Sequence, residues 1–311
     1  MNKRKELIKN EIINEKVHRV IDGLTGCVKS AEGKEVMRNI FLRQDFYDKT
    51  SQDQREKIKL IVDDIKNEFI DEFYTKDDES IIFDPFSEKG YSFEIIEIIS
   101  ILNNIDEVIK IFIKNISNRR NSTAIILKAI INLCIREGKI SNADILRYCN
   151  LDSKELAYEM VSLNGNTLTP KVGMSEALNF ITKDQFLLNK NWEKFIYDTK
   201  FLRMFLEKKK TLSIKDYVKR DKRNLFLGSF LGNNEKRISI INLFLNSIAS
   251  EILSSEAKND YEVTLIVDNV DSLKDVKNIQ ELFYKNKVDE TRYYIGKTSV
   301  IKKRIFPNVF L

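Results

Sequence analysis

Gly23-Leu24-Thr25-Gly26-Cys27-Val28-Lys29-Ser30 follows the pattern G-x-x-x-x-G-K-[ST] at every fixed position but one, with Val28 standing where the second glycine belongs. A short apolar run, Val17 to Ile21, precedes the segment and a helical pattern, Ala31 to Arg43, follows it. Strand, turn and helix in that order are what a phosphate cradle needs, because free backbone N–H groups at a helix N-terminus point at the anion. Glycine serves such a turn because positive φ brings no Cβ clash. Lys29 would set its ammonium between the terminal phosphates, and the Ser30 hydroxyl would ligate Mg²⁺. Val28 is β-branched and resists positive φ, so it narrows or distorts the cradle. Weak nucleotide binding, or none, is the expectation. An ordinary strand-turn-helix corner with a coincidental Lys-Ser pair is the competing reading.

Outward from this segment, apolar runs bounded by polar turns alternate with longer helical patterns, which predicts an α/β fold with a mainly parallel sheet. The strands are expected at Val17-Ile21, Ile58-Val62, Ser80-Phe83, Asn224-Ser229, Glu262-Val267, Arg292-Ile295 and Asn308-Leu311. Between about Ser117 and Leu188 strand signal gives way to helical stretches, Thr123-Arg136, Asn142-Tyr148 and Ser153-Val161. The expected organisation is an α/β domain in two pieces, 1–116 and 189–311, around an all-helical insertion, 117–188.

The run Val263-Thr264-Leu265-Ile266-Val267 ends in Asp268. In phosphate-loop NTPases such a strand runs beside the loop strand, and its terminal carboxylate holds Mg²⁺. In many of them a glutamate follows and polarises the attacking water. Here Asn269 follows, an amide that accepts no proton at neutral pH.

Composition limits the alternatives. The chain has 311 residues, 32% charged, with 3 prolines and 10 glycines, which describes a helix-rich globular protein. A net charge of +5 from 52 basic and 47 acidic residues leaves attraction to nucleic acid to local clusters. The densest is Lys208, Lys209, Lys210, Lys215, Lys219, Arg220, Lys222 and Arg223, a candidate nucleic-acid contact whose bland alternative is a solvated face. Phe201, Phe205, Tyr217 and Phe226 offer stacking surfaces for single strands, although helical spacing points to core. Trp192, Phe195, Ile196 and Tyr197 are assigned to packing. Three cysteines without C-x-x-C spacing and one histidine argue against a metal cluster of those ligands and fit a reducing compartment. With no apolar membrane span and a charged N-terminal stretch, a cytoplasmic location is expected.

Taken in order, the segments resemble the conjugative coupling proteins of type IV secretion, of the TraD type. The stretches that carry the likeness are HRVIDGLTGCVKS (18–30), KLIVDDIKNEFIDEFYTKDDESIIFDPFSEKGYSF (59–93), TLSIKDYVKRDKRNLFLGSF (211–230), ISIINLFLNSIASEIL (238–253), TLIVDNVDSLKDVKNIQELF (264–283) and YYIGKTSV (293–300). The resemblance implies a RecA-like P-loop NTPase domain carrying an all-helical domain, assembled from copies of itself, which couples ATP hydrolysis to moving DNA or protein into a secretion channel. It implies ATP and Mg²⁺ as cofactors. Gly23, Thr25, Gly26, Cys27, Val28, Lys29 and Ser30 would meet nucleotide, Ser30 and Asp268 would meet Mg²⁺, and DNA and the conjugation machinery or related ATPase subunits would be partners. Against that pattern Val28 replaces the loop glycine, Asn269 a usual glutamate, and Thr298 a glutamine that senses the γ-phosphate. Three departures at one site predict a pseudo-ATPase, with hydrolysis weak or absent. A working translocase and a truncated remnant are the alternatives.

Overall fold

The computed structural model describes residues 34–35, 37–42, 57–64, 67–75, 80–113, 121–162, 177, 185–219, 223–229, 234–254, 261–267 and 291–295. They divide into two compact units, one up to Tyr91 and from Ile214 onward, the other Ser92–Ser213.

The first unit is built on a five-stranded sheet. Its strands are β1 (Lys57–Asp63), β2 (Ser80–Phe83), β5 (Arg223–Leu227), β6 (Tyr261–Val267) and β7 (Thr291–Ile295), in spatial order β2-β5-β1-β6-β7. Every pairing is parallel. Five of the seven expected strands are therefore present within a residue or two of their predicted limits. The other two, Val17-Ile21 and Asn308-Leu311, lie outside the described residues.

A parallel sheet needs cover on both faces, and the alternation along β1 shows how it is met. Leu60 and Val62 point to one face, where they join Ile82, Phe226 and Ile266 in a buried cluster with Met37, Ile40 and Phe69. Residues 34–35 and 37–42 are helical, and α1 (Ile70–Phe73) lies against the same cluster through Ile70 and Phe73. On the other face Phe83 stacks on Phe244 with ring centroids 4.3 Å apart, and Lys59 reaches Tyr217. Phe244 belongs to the helix Asn234–Ser254 and Tyr217 to the helix Ile214–Lys219.

Within the second unit the helices run α2 (Ile95–Leu102), α3 (Ile105–Phe112), α4 (Ser122–Arg136), α5 (Asn142–Asn150), α6 (Ser153–Ser162), α7 (Gln185–Asp198) and α8 (Lys200–Leu206). The two helices of the first unit named above then follow as α9 (Ile214–Lys219) and α10 (Asn234–Ser254). Short polar side chains set the helix starts. Asn104 and Asn121 accept backbone N–H bonds at the heads of α3 and α4, and Ser141 with Asp144 forms a capping box at α5. After α4, Gly138 at φ 70° closes the helix, with Lys139 N–H donating to the Cys134 carbonyl and Gly138 N–H to that of Ile135. Phe205 fills the centre, its ring 4.9 Å from those of both Phe93 and Phe112.

The expected insertion limits, 117 and 188, fall inside this second unit. It begins earlier because α2 packs on α3 and α3 on α4, and it ends later because α8 packs on α5. Its two connections are joined by β3 (Ser92–Phe93) and β4 (Thr211–Leu212), paired in parallel as Ser92 with Thr211 and Phe93 with Leu212. Two-residue strands leave no alternation to read in sequence.

Candidate functional site

Ligands of parallel α/β sheets bind beyond the carboxyl ends of the strands, and here that edge concentrates buried charge. Asp63 closes β1, in register with Leu227 of β5 on one side and Val267 of β6 on the other. Its carboxylate meets Arg237, whose Nη2 donates to Asp63 Oδ1 at 2.6 Å, both side chains being 2% exposed. The same guanidinium donates through Nε to the Gly228 carbonyl at 2.9 Å and through Nη2 to that of Leu227 at 3.0 Å. A buried guanidinium persists only with such partners, since desolvation costs several kcal/mol per ion, on the order estimated for buried ion pairs.

Two further carboxylates stand at this edge, each engaged by backbone. Asp64 Oδ2 accepts from Phe69 N–H at 2.9 Å and Ile70 N–H at 2.7 Å, which caps α1. Asp84, after β2, accepts through Oδ1 from Phe86 and Ser87 N–H and so shapes the turn. Gly90 passes so close to this turn that a Cβ there would lie 2.3 Å from the Asp84 carbonyl oxygen. Asp63 and Asp84 thus stand at the carboxyl ends of β1 and β2.

The phosphate-loop residues Gly23, Thr25, Gly26, Cys27, Val28, Lys29 and Ser30 lie outside the described residues, as do Asp268, Asn269 and Thr298. The strands that precede Asp268 and Thr298 in the sequence are placed. Val267 directly precedes Asp268, and Ile295, its ladder partner on β7, comes three residues before Thr298. The expectation that the strand bearing Asp268 runs beside the loop strand is corrected. Along residues 263–267 β6 is paired to β1 on one edge and to β7 on the other. A strand has two hydrogen-bonding edges, so a third neighbour has no place there.

Of the basic run, Lys209, Lys210, Lys215 and Lys219 are exposed and Lys208 is half-buried. Lys208, Lys209 and Lys210 precede the unit boundary, while Lys215 and Lys219 follow it on α9. Arg220 and Lys222 are outside the described residues, and Arg223 opens β5. Phe205, Tyr217 and Phe226 are wholly buried and serve packing, not stacking on a ligand. Among the residues assigned to packing, Phe195 is buried, but Ile196 and Tyr197 are 44% and 65% exposed because they turn away from the face of α7 that carries Phe195. Burial pushes the Cys134 and Cys149 thiols up to about 12, which leaves them inert as nucleophiles.

Arg237 was missed in the sequence. The signal was available in outline. It is an arginine at the head of Ile238-Ser239-Ile240-Ile241-Asn242-Leu243-Phe244-Leu245, a run too apolar for a solvated face.

No helix among the described residues is long and apolar enough to cross a membrane. No group of three or more His, Cys, Asp or Glu among them is placed to hold a metal ion.

Residues 8–289 match the family described as the type IV secretion-system coupling protein DNA-binding domain. No curated protein matches. Among solved structures, the bacterial conjugative coupling protein TrwBdeltaN70, in a trigonal form with sulphate, superposes with a TM-score of 0.58 at 14% identity over 93% of this chain and 65% of that one. The plasmid coupling protein TrwB with ADP and Mg²⁺ gives 0.57 at 14% identity, over 93% of this chain and 66% of that one. The same protein with the ATP analogue ADPNP gives 0.57, also at 14%, over 92% and 64%. At such identity the likeness is one of fold, a RecA-like P-loop NTPase, and the chain spans just under two thirds of the length of these proteins.

Proposed function

Since the chain belongs to the type IV secretion-system coupling proteins, we propose that it is a coupling-protein module with an eroded nucleotide site, a pseudo-ATPase that acts as an interaction or regulatory subunit. Its partners in this reading are DNA, the conjugation or secretion machinery or related ATPase subunits, and further copies of itself, in the cytoplasm. The observation that carries the reading is the pairing of β6 with β7. The strands that precede Asn269 and Thr298 in the sequence lie side by side, with Val267 opposite Ile295, which supports reading the two departures together.

The chemistry follows from the residue types. A carboxylate such as Asp268 is a hard oxygen ligand suited to Mg²⁺, and the Ser30 hydroxyl would share the ion. Bound Mg-ATP would supply the phosphoryl chemistry. What the sequence lacks is a proton acceptor at 269 and a γ-phosphate donor amide at 298, and a β-branched Val28 would crowd the cradle. Losing one group that orients water or stabilises transition-state charge costs a factor of about 10² to 10⁵.

Titration of Mg-ATP into the purified chain, with ATP turnover measured with and without DNA, tests this. Weak binding and no DNA-stimulated turnover are expected. Restoring Val28→Gly together with Asn269→Glu should raise affinity or turnover. The alternative reading, an active translocase, draws on the retained Gly23, Gly26, Lys29, Ser30 and Asp268. Turnover of about 1 s⁻¹ or more that vanishes in Lys29→Ala would establish it instead.

A further inference from the structure

We infer that Asp63 and Arg237 form a positioning pair. They lock the carboxyl ends of β1 and β5 to the head of α10, and through β1 they fix where β6 ends, at Val267, for the metal-assisted nucleotide binding proposed above. The inference rests on the nucleotide site proposed above.

Asp63 is distinguished from its neighbours by where its charge goes. The carboxylates of Asp64 and Asp84 receive backbone N–H groups of their own turns. That of Asp63 takes a long-range partner, 174 residues away in sequence. Arg237 in turn spends directional bonds on two successive carbonyls, Leu227 and Gly228, where β5 leaves the sheet. The Leu227 carbonyl also accepts from Asp64 N–H at 3.1 Å, so one oxygen gathers the end of β1 and the side chain of α10. Asp63 lies directly opposite Val267, the last residue before Asp268.

Stability alone does not account for such a pair. Apolar residues of similar volume often replace a buried ion pair at little cost, whereas only the charged pair gives directional bonds that fix backbone in one place. Groups that orient a metal ligand from behind typically change metal affinity by about 10- to 100-fold when removed. Neither Asp63 nor Arg237 is assigned contact with nucleotide here; both act through the backbone ends they hold.

The test uses the full chain carrying Asp63→Leu with Arg237→Met, and separately Asp63→Asn, which keeps the shape and removes the charge. Thermal unfolding establishes that each variant folds. Amide hydrogen exchange is read at Leu227–Ser229 and Val267, and ADP affinity is measured with Mg²⁺ and with EDTA. Faster exchange at those amides is expected, together with a loss of about tenfold in affinity with Mg²⁺ and little change in EDTA. Wild-type exchange at those amides in a folded variant overturns the inference, as does an equal loss of affinity in both buffers. If the unsubstituted chain takes up no ADP in either buffer, the nucleotide reading fails by itself. Exchange then decides the pair alone, faster exchange upholding the clamp and unchanged exchange overturning it.

Discussion

The sheet unit buries charge, while the helical unit buries chiefly neutral polar groups. Lys59, Asp63, Asp64, Asp84 and Arg237 are all buried in the first. Among the described residues of the second the buried polar ones are Ser92, Asn121, Ser122, Thr123, Asn142 and Thr199, with Asp198 the one acid, accepting from the Thr123 hydroxyl at 2.9 Å. Most of these neutral groups have a local explanation. Asn121 caps α4, and Asn142 takes Ile95 N–H and gives to the Phe93 carbonyl, joining α2 to α5. Neutral side chains are desolvated more cheaply than ions, so they suit a unit whose task is to hold helices together. Ions removed from water are expensive, and where they cluster at a strand edge they mark a place where field and position matter.

The largest expected effects probe this contrast directly. Arg237→Ala leaves Asp63 buried without its cation and should cost about 3–5 kcal/mol in urea unfolding. In the helical unit Phe205→Ala should cost a similar amount, about 3–5 kcal/mol, through the cavity between Phe93 and Phe112. The two differ in what is left behind: the first leaves a buried carboxylate without its cation, the second an apolar cavity. A loss below about 1 kcal/mol for Arg237→Ala, the scale of an exposed pair, would dissolve the distinction drawn above.

A smaller effect is expected at Gly90. Its missing Cβ lets the chain pass the Asp84 carbonyl, so Gly90→Ala should destabilise by about 1–3 kcal/mol as an overpacking change, read from the thermal midpoint. Smallest is the acid response of the helical unit. Lys139 and then Tyr148 donate to Glu137 and hold its carboxyl below the ordinary 4.5. Its contribution is therefore present above that value and is lost as pH falls through the depressed one. Glu137→Gln should flatten the acid limb of the stability profile, and an unchanged limb would remove Glu137 from the account.

The sheet was legible because its strands are short apolar runs with abrupt ends. Ser80-Ile81-Ile82-Phe83 followed by Asp84-Pro85 has only one plausible reading, and the structure places β2 at those residues. The helices α4, α5 and α6 were legible from period and caps, Ser141 with Asp144 above all. The limits of the helical unit were not, because Ile95-Ile96-Glu97-Ile98-Ile99 reads as apolar in any fold and only its packing assigns it. Strand order was also hidden. Nothing in Tyr261–Val267 says that β1 and β7 will take its two edges, since parallel neighbours are chosen by crossovers distant in sequence. Arg237 escaped because a lone charge beside an apolar helix looks like a boundary residue until its partner across the sheet is known.

The pairing of Ser92 with Thr211 has a topological consequence. It brings together the two ends of everything between them, so for the rest of the chain that whole length amounts to a single short bridge. Loop-closure entropy grows only with the logarithm of length, and a bridge already pinned at its base adds little of it. The helical unit is thus free to lengthen, shrink or be exchanged without disturbing strand order. Grafting a short turn between those two residues should leave a shortened chain that still folds as a parallel sheet.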